Sequence, residues 1–243
     1  MFDQIVNNFY SGIFIQNSNW NNRYPNVDEA VRAGKIIQFM AMVRRELQVT
    51  SEFIIIDVGC GRGWLTNILS VFGTVIGVEP VEDVVRYAIK LFPDLIFIHS
   101  SPAEYKSSEN FQMADVVVCS EVIEHVPYEE QIKFLCDLAN LLDSKGYLII
   151  TSPRGELFPE WKLSHASQPV ENWLTEDELA EKLLKAGFSV IERDRCYPTK
   201  LGRARFQLFH NPFIRKLFSI IGYQDDFGSK SMIYQVILAK KID

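Results

Sequence analysis

The sequence has no surplus of positive charge: 25 Lys and Arg stand against 31 Asp and Glu, for a formal net charge of −6 and a pI near 5.3. Such a chain exerts no general pull on phosphate backbones or anionic lipid, which disfavours nucleic acid as a partner. Cysteine is scarce. Cys60, Cys119, Cys136 and Cys196 lie far apart with no C-x-x-C spacing, so neither a zinc site nor a disulfide framework is indicated and the thiols read as reduced. No apolar run approaches a membrane span. The opening MFDQIVNNFY places an Asp and two Asn where a secretory leader needs a basic start and an apolar core, so the expected location is the cytoplasm. Repeats, low-complexity tracts and Pro/Gly/Ser-rich linkers are also missing. With 243 residues, 47% of them hydrophobic, one well-cored domain is the economical reading.

What the sequence does contain is an alternation. β-branched runs at Phe53–Asp57, Thr74–Val78, Leu95–His99, Asp115–Cys119 and Tyr147–Thr151 are interleaved with segments of helical spacing at Arg62–Val71, Val81–Leu91 and Glu129–Leu142, the last with Gly146 as a stop signal. This is the pattern of successive βαβ units and predicts a Rossmann-like α/β fold, doubly wound on a mostly parallel sheet. Thr175 and Glu178 form a capping-box pair that opens a helix running to Lys185, ahead of Gly187. Phe188–Arg193 and Ile233–Lys240 are strand-like, and the interval between them leaves room for an inserted element. Before residue 50, Val27–Leu47 is helical and stands outside the alternating core, in the position of a lid. The expected organisation is a helical lid over 1–50, a core over 51–195 and, over 196–243, a helical insertion followed by the last strand.

The most informative segment runs from Ile54 to Thr66: an apolar strand that ends in Asp57, passes through Gly59, Cys60, Gly61, Arg62 and Gly63, and turns into a helix. Glycines at alternate positions remove Cβ atoms where the backbone turns sharply and let a ligand lie against main-chain N–H groups. A dinucleotide fold asks instead for G-x-G-x-x-G with a pyrophosphate at the helix start. Asp57 suits the ammonium of a bound amino acid better than a pyrophosphate. Glu79, followed by Pro80 at the tip of the next strand, is placed to accept hydrogen bonds from both hydroxyls of a ribose. D-V-G-C-G-R-G followed by G-V-E-P resembles motif I and the acidic motif of class I S-adenosylmethionine-dependent methyltransferases, and the resemblance covers roughly residues 50 to 195.

That resemblance implies a seven-stranded sheet and S-adenosylmethionine as cofactor. The cofactor would be held by Asp57, Gly59, Cys60, Gly61, Gly63, Glu79 and Pro80, by Ser101 and Ala103 at the adenine, and by Ser120 and Glu121 beside the methionine portion. Pro102 stands where the family often has an Asp, so the backbone of Ala103 is the better adenine contact. Glu121-x-x-Glu124-His125 then supplies two carboxylates and an imidazole at the mouth of the cleft. His125, whose unperturbed pKa is near 6.5, is the first candidate for general base, with Glu124 beside it. A metal reading competes, in which Glu121, Glu124 and His125, with His165 folding back, hold a divalent ion. The same station is similar to that of ubiquinone-biosynthesis O-methyltransferases and small-RNA 2′-O-methyltransferases, and in many relatives these side chains only order the loop.

The acceptor side is less legible. The stretch Gly155–Pro169, holding Trp161 and His165, has the length of a functional loop, and packing is the plainer role for Trp161 and Trp173. Over 200–220, Lys200, Arg203, Arg205, Arg215 and Lys216 interleave with aromatic and aliphatic residues, as in an amphipathic helix packed on the sheet or touching a membrane surface. The leading expectation is a methyltransferase acting on a hydroxyl or amine of a small molecule such as a sugar or secondary metabolite. A quinone- or lipid-type acceptor at a membrane, an RNA 2′-hydroxyl, a dehydrogenase and a degenerate, non-enzymatic binding protein are the alternatives.

Overall fold

The computed structural model describes residues 2–48, 53–159, 168–199 and 231–242, with the backbone alone for residues 2–6. The stretch 200–220, together with Trp161 and His165, lies outside the described residues. Seven strands form one sheet in the order β3-β2-β1-β4-β5-β7-β6. β1 (Ile54–Val58), β2 (Thr74–Glu79), β3 (Ile96–His99), β4 (Ala114–Ser120) and β5 (Leu142–Pro153) run parallel. β7 (Met232–Lys241) runs antiparallel between β5 and β6 (Phe188–Pro198). The mixed, mostly parallel α/β sheet expected from the alternating runs is thus the observed one.

Period-two alternation divides the apolar residues between two cores. Ile55, Val75, Val116, Val118 and Ile149 face one side with Ala33, Ile36, Met40 and Val43 of α2 (Val27–Leu47) and Leu65 and Leu69 of α3 (Trp64–Leu69). Ile56, Val78, Val117 and Ile150 face the other, with Tyr105, Leu135, Leu138, Leu179 and Leu183. Those five residues come from α5 (Pro102–Lys106), α6 (Gln131–Leu141) and α7 (Glu176–Lys185). α4 (Glu82–Leu91) joins β2 to β3. Each fully buried aliphatic side chain in these cores contributes about 1.5–3 kcal/mol of transfer free energy.

The helix starts follow from local chemistry. Asn26 accepts from the Glu29 N–H at 2.9 Å while the Glu29 carboxylate accepts from the Asn26 N–H at 2.8 Å, a complete capping box at the start of α2. Thr175 and Glu178 do the same for α7 as expected. Gly63 is the left-handed N-cap of α3, so that helix begins two residues later than its spacing predicts. One expectation is corrected outright: Gly146 does not stop a helix. α6 ends at Leu141, and Gly146 lies within β5, whose pairing with β4 and β7 claims the backbone there. At the N-terminus, α1 (Phe2–Ser11) and a π-helical turn, Gly12–Gln16, precede α2. No helix among the described residues is long and apolar enough to cross a membrane.

Candidate functional site

In this sheet the chain order reverses between β1 and β4, and a crevice opens at the carboxyl ends of the strands on either side of such a reversal. There the structure has two adjoining cavities, one of about 660 Å³ and one of about 90 Å³, which share Phe14, Gly59 and Glu121 as walls. The larger reaches Glu79, Pro80, Ser101 and Ala103 at one end and His125 at the other. The smaller lies over Asp57, Cys60, Gly61 and Ser120, with Arg32 of α2 and Trp20 closing it.

The glycines shape the floor. Gly59, Gly61 and Gly63 have φ of 69°, 52° and 83°, the left-handed region that strains any residue with a Cβ. At Gly59 a Cβ would lie 2.4 Å from Val122 Cγ2, and at Gly63 one would lie 2.5 Å from the Phe97 ring. Gly63 lines neither cavity, and its missing side chain makes room for the Phe97 ring.

Glu79 ends β2 almost fully buried. Its Oε2 accepts from the Gly61 N–H at 3.1 Å and its Oε1 from the Val81 N–H at 3.0 Å, which fixes the carboxylate and leaves each oxygen a further lone pair. Burial raises its pKa to about 7 against these two stabilising N–H groups. Asp57, also buried, is pushed up to about 7 by burial, with the Thr66 hydroxyl donating to Oδ2 at 2.6 Å in opposition.

At the adenine end, expectation and structure differ in detail. The Ser101 hydroxyl donates to Glu104 Oε2 at 2.7 Å and accepts from the Glu104 N–H at 3.3 Å, while the Ser101 N–H donates to the same carboxylate at 2.9 Å. Ser101 is therefore occupied as the N-cap of α5. Pro102 has no N–H, so that of Ala103 is the first the helix offers, and Ala103 lines the large cavity.

β4 delivers Ser120 and Glu121. Glu121 has φ 59°, an unfavourable backbone for a residue with a side chain that costs about 1–3 kcal/mol and has to be held by its surroundings. Thr151 of β5 holds it twice: its carbonyl accepts from the Glu121 N–H at 3.0 Å, and its hydroxyl donates to Glu121 Oε1 at 2.7 Å. Since the Thr151 proton is committed there, the Ser120 hydroxyl donates to Thr151 Oγ1 at 2.9 Å. Burial raises Glu121 to about 8, with the Arg32 charge pulling the other way.

His125 lines the large cavity at the end away from Ala103. With its Nδ1–H donating to the Val170 carbonyl at 3.1 Å, Nε2 keeps its lone pair, and burial lowers the pKa of the ring. Glu124 lines neither cavity. It is buried behind His125, with Oε1 3.7 Å from Nε2 and Oε2 without a hydrogen-bond partner, and burial raises it to about 8. Among the described residues no three His, Cys, Asp or Glu side chains cluster closely enough to hold a metal ion, and His165, the fourth member of the metal reading, lies outside them.

Three wall residues have no counterpart in the sequence expectations. Arg32, 4% exposed, donates to Asp28 and lies 4.5 Å over the Tyr234 ring. Its Nε has no hydrogen-bond partner, with Glu121 Oε1 3.9 Å away. The Phe14 ring stands over Gly61, 3.2 Å from where a Cβ would be. Tyr10 stacks on Phe14 with ring centroids 6.2 Å apart and meets His125 edge-on at 5.7 Å.

The sequence profile of a family described as methyltransferase domain matches residues 29–193. A ubiquinone biosynthesis O-methyltransferase of Colwellia psychrerythraea is 32% identical over 181 residues, spanning 72% of this chain and 60% of the relative. One of Vibrio vulnificus is 32% identical over 136 residues, spanning 54% and 51%. The matched part of the chain thus amounts to between half and three-fifths of these curated relatives. In fold, the magnesium protoporphyrin IX methyltransferase of Synechocystis, solved with bound S-adenosylhomocysteine, superposes with a TM-score of 0.62 at 16% identity, covering 99% of this chain and all of that one.

Proposed function

Because the chain belongs to the methyltransferase-domain family, we propose that it transfers the methyl group of S-adenosylmethionine to a small-molecule acceptor, at a hydroxyl or an amine. The observation that carries this reading is the pair of joined cavities, with a buried carboxylate fixed by the Gly61 and Val81 N–H groups at one end and a buried, under-bonded guanidinium at the other. A ribose diol fits the first and an amino-acid carboxylate the second, with Asp57 available to the ammonium. An NAD pyrophosphate would meet Asp57, Glu79 and Glu121 instead of free N–H groups.

S-adenosylmethionine, when bound, supplies an electrophilic methyl on a sulfonium. The chain's own residues do the rest. Glu79 and the Ala103 N–H hold the adenosine, while Arg32, Asp57, Ser120 and the N–H groups of the glycine loop hold the amino-acid part. Phe14 and Tyr10 exclude water from the junction. His125, kept neutral by burial and with Nε2 free of any hydrogen bond, takes the proton of an acceptor hydroxyl, and Glu124 packs behind it. A quinone-type acceptor is the second reading, favoured by the named relatives that methylate in ubiquinone biosynthesis. Calorimetric titration with S-adenosylhomocysteine, with NAD as control, tests the class: binding of the first alone is expected, and binding of NAD alone would refute it. Vesicle co-sedimentation separates the two acceptor readings.

A further inference from the structure

The segment 17–26, between the π-helical turn and α2, forms a strap beside the small cavity, and one side chain of the glycine loop holds most of it. Arg62 is completely buried yet lines neither cavity. All its polar groups turn to the N-terminal region. Nη1 and Nη2 donate to the two oxygens of Glu29 at 2.7 Å each, Nε donates to the Asn22 carbonyl at 2.6 Å, and Nη2 also reaches the Tyr24 carbonyl at 3.4 Å. Its neighbour Gly61 touches Phe14 and faces the small cavity. The strap's other ties are peripheral: the Tyr87 hydroxyl on the Asn21 carbonyl at 2.8 Å, and Arg23 5.0 Å over the Phe92 ring.

We infer that Arg62, its guanidinium fixed by Glu29 of α2, is a positioning residue that latches the strap beside the amino-acid end of the cofactor site through the Asn22 and Tyr24 carbonyls, so that parting of these contacts gates cofactor entry and release. The inference rests on the S-adenosylmethionine reading above. A two-pronged guanidinium–carboxylate pair fixes distance and angle together, and the Asn22 and Tyr24 carbonyls are satisfied by Arg62 only while the strap is closed. The guanidinium that holds them is fully buried, and a buried donor is not left unpaired at small displacements, so the strap opens as a unit, with Trp20 leaving the wall of the small cavity. Arg62 shares its backbone loop with Gly59 and Gly61, and a ligand that orders this loop therefore favours the closed latch.

The test is stopped-flow exchange of S-adenosylhomocysteine, read by tryptophan fluorescence, on the unmutated chain, Arg62→Lys, Glu29→Gln and the double variant. Dissociation is expected to be about tenfold faster in each single variant, the scale of one lost charge-assisted hydrogen bond. The double variant should be no faster than the faster single, because both changes act on one opening step. In the unmutated chain, saturating S-adenosylhomocysteine should slow amide exchange across 17–26 about tenfold or more, a readout that does not require the variants to fold. A pair that only supports the fold would lower melting temperature and leave these rates alone. Unchanged dissociation in folded variants, additive acceleration in the double variant, or strap exchange indifferent to the ligand overturns the latch. Failure of the unmutated chain to bind S-adenosylhomocysteine refutes the cofactor reading itself, and the latch falls with it.

Discussion

The two ends of the cleft are built differently. At the Glu79 end, the proposed seat of the adenosine, Glu79 closes β2, Ser101 caps α5 directly after β3, and the polar groups belong to the parallel sheet or its first turns. At the Arg32 end, the proposed seat of the amino-acid part, a third of the wall comes from the N-terminal region: Phe14, Trp20, Glu29 and Arg32. The first end is as rigid as the sheet and pre-formed by it. The second is complete only when α2 and the strap are docked. A shared fold can therefore keep one end fixed while the other sets the timing of binding.

His125→Gln isolates what lies outside both ends. Turnover should fall about 10²-fold or more, the usual contribution of a positioned base, with S-adenosylhomocysteine affinity unchanged; a parallel loss of affinity would place His125 in the cofactor site. Arg32→Gln sharpens the comparison most directly. S-adenosylhomocysteine should bind about 100-fold more weakly while adenosine binds as before, since only the former carries a carboxylate. Equal losses for both, by calorimetry, would show that the ends are not separable. Glu79→Ala should do what Arg32→Gln does not, weakening S-adenosylhomocysteine and adenosine alike by about tenfold through the lost ribose contacts.

Acidity touches both ends together. Asp57 and Glu79 sit at about 7 and Glu121 and Glu124 at about 8, all raised by burial. The unfolded chain gives up these protons first, so between roughly pH 4 and 8 the folded state holds more of them, and stability falls as pH rises through that window. The melting temperature of the free protein should accordingly be lower at about pH 8.5 than at about pH 5.5. Affinity for S-adenosylhomocysteine should run the opposite way, rising through about pH 7 as Asp57 and Glu79 ionise. A flat affinity profile would detach both carboxylates from the ligand. Smallest of all, Ser101→Ala should cost about 1 kcal/mol of stability as a lost cap, with little change in adenosine binding.

The sheet was legible because parallel strands buried on both faces read as unbroken apolar runs, and because the alternate glycines leave a signature wherever a strand turns into a helix. α2 was legible to the residue from its helical spacing. Arg32 was not, since a lone Arg on a helix carries no local pattern and two of its neighbours, Glu121 and Tyr234, are distant in sequence. One signal was available: Glu29 and Arg32 lie on the same helical stripe as Ala33, Ile36 and Met40, and ions on a buried stripe need a purpose. Ser101 carries a local signal of its own. The S-x-x-E pattern of a capping box, recognised in its T-x-x-E form at Thr175, recurs at Ser101 with Pro102 at the first helical position. Tyr10 and Phe14 act through contacts across the cleft, which no window of sequence contains.

The strand order carries a consequence for biosynthesis. β7 is the latest strand of the described chain to be made, yet it lies inside the sheet, hydrogen-bonded to β5 on one side and β6 on the other. Until it emerges, β5 presents an open edge and β6 has no partner, while β1 to β5, with the acid and the glycines of the adenosine end, are already available to pair. A nascent chain or a C-terminal truncation is thus exposed to intermolecular strand pairing at β5.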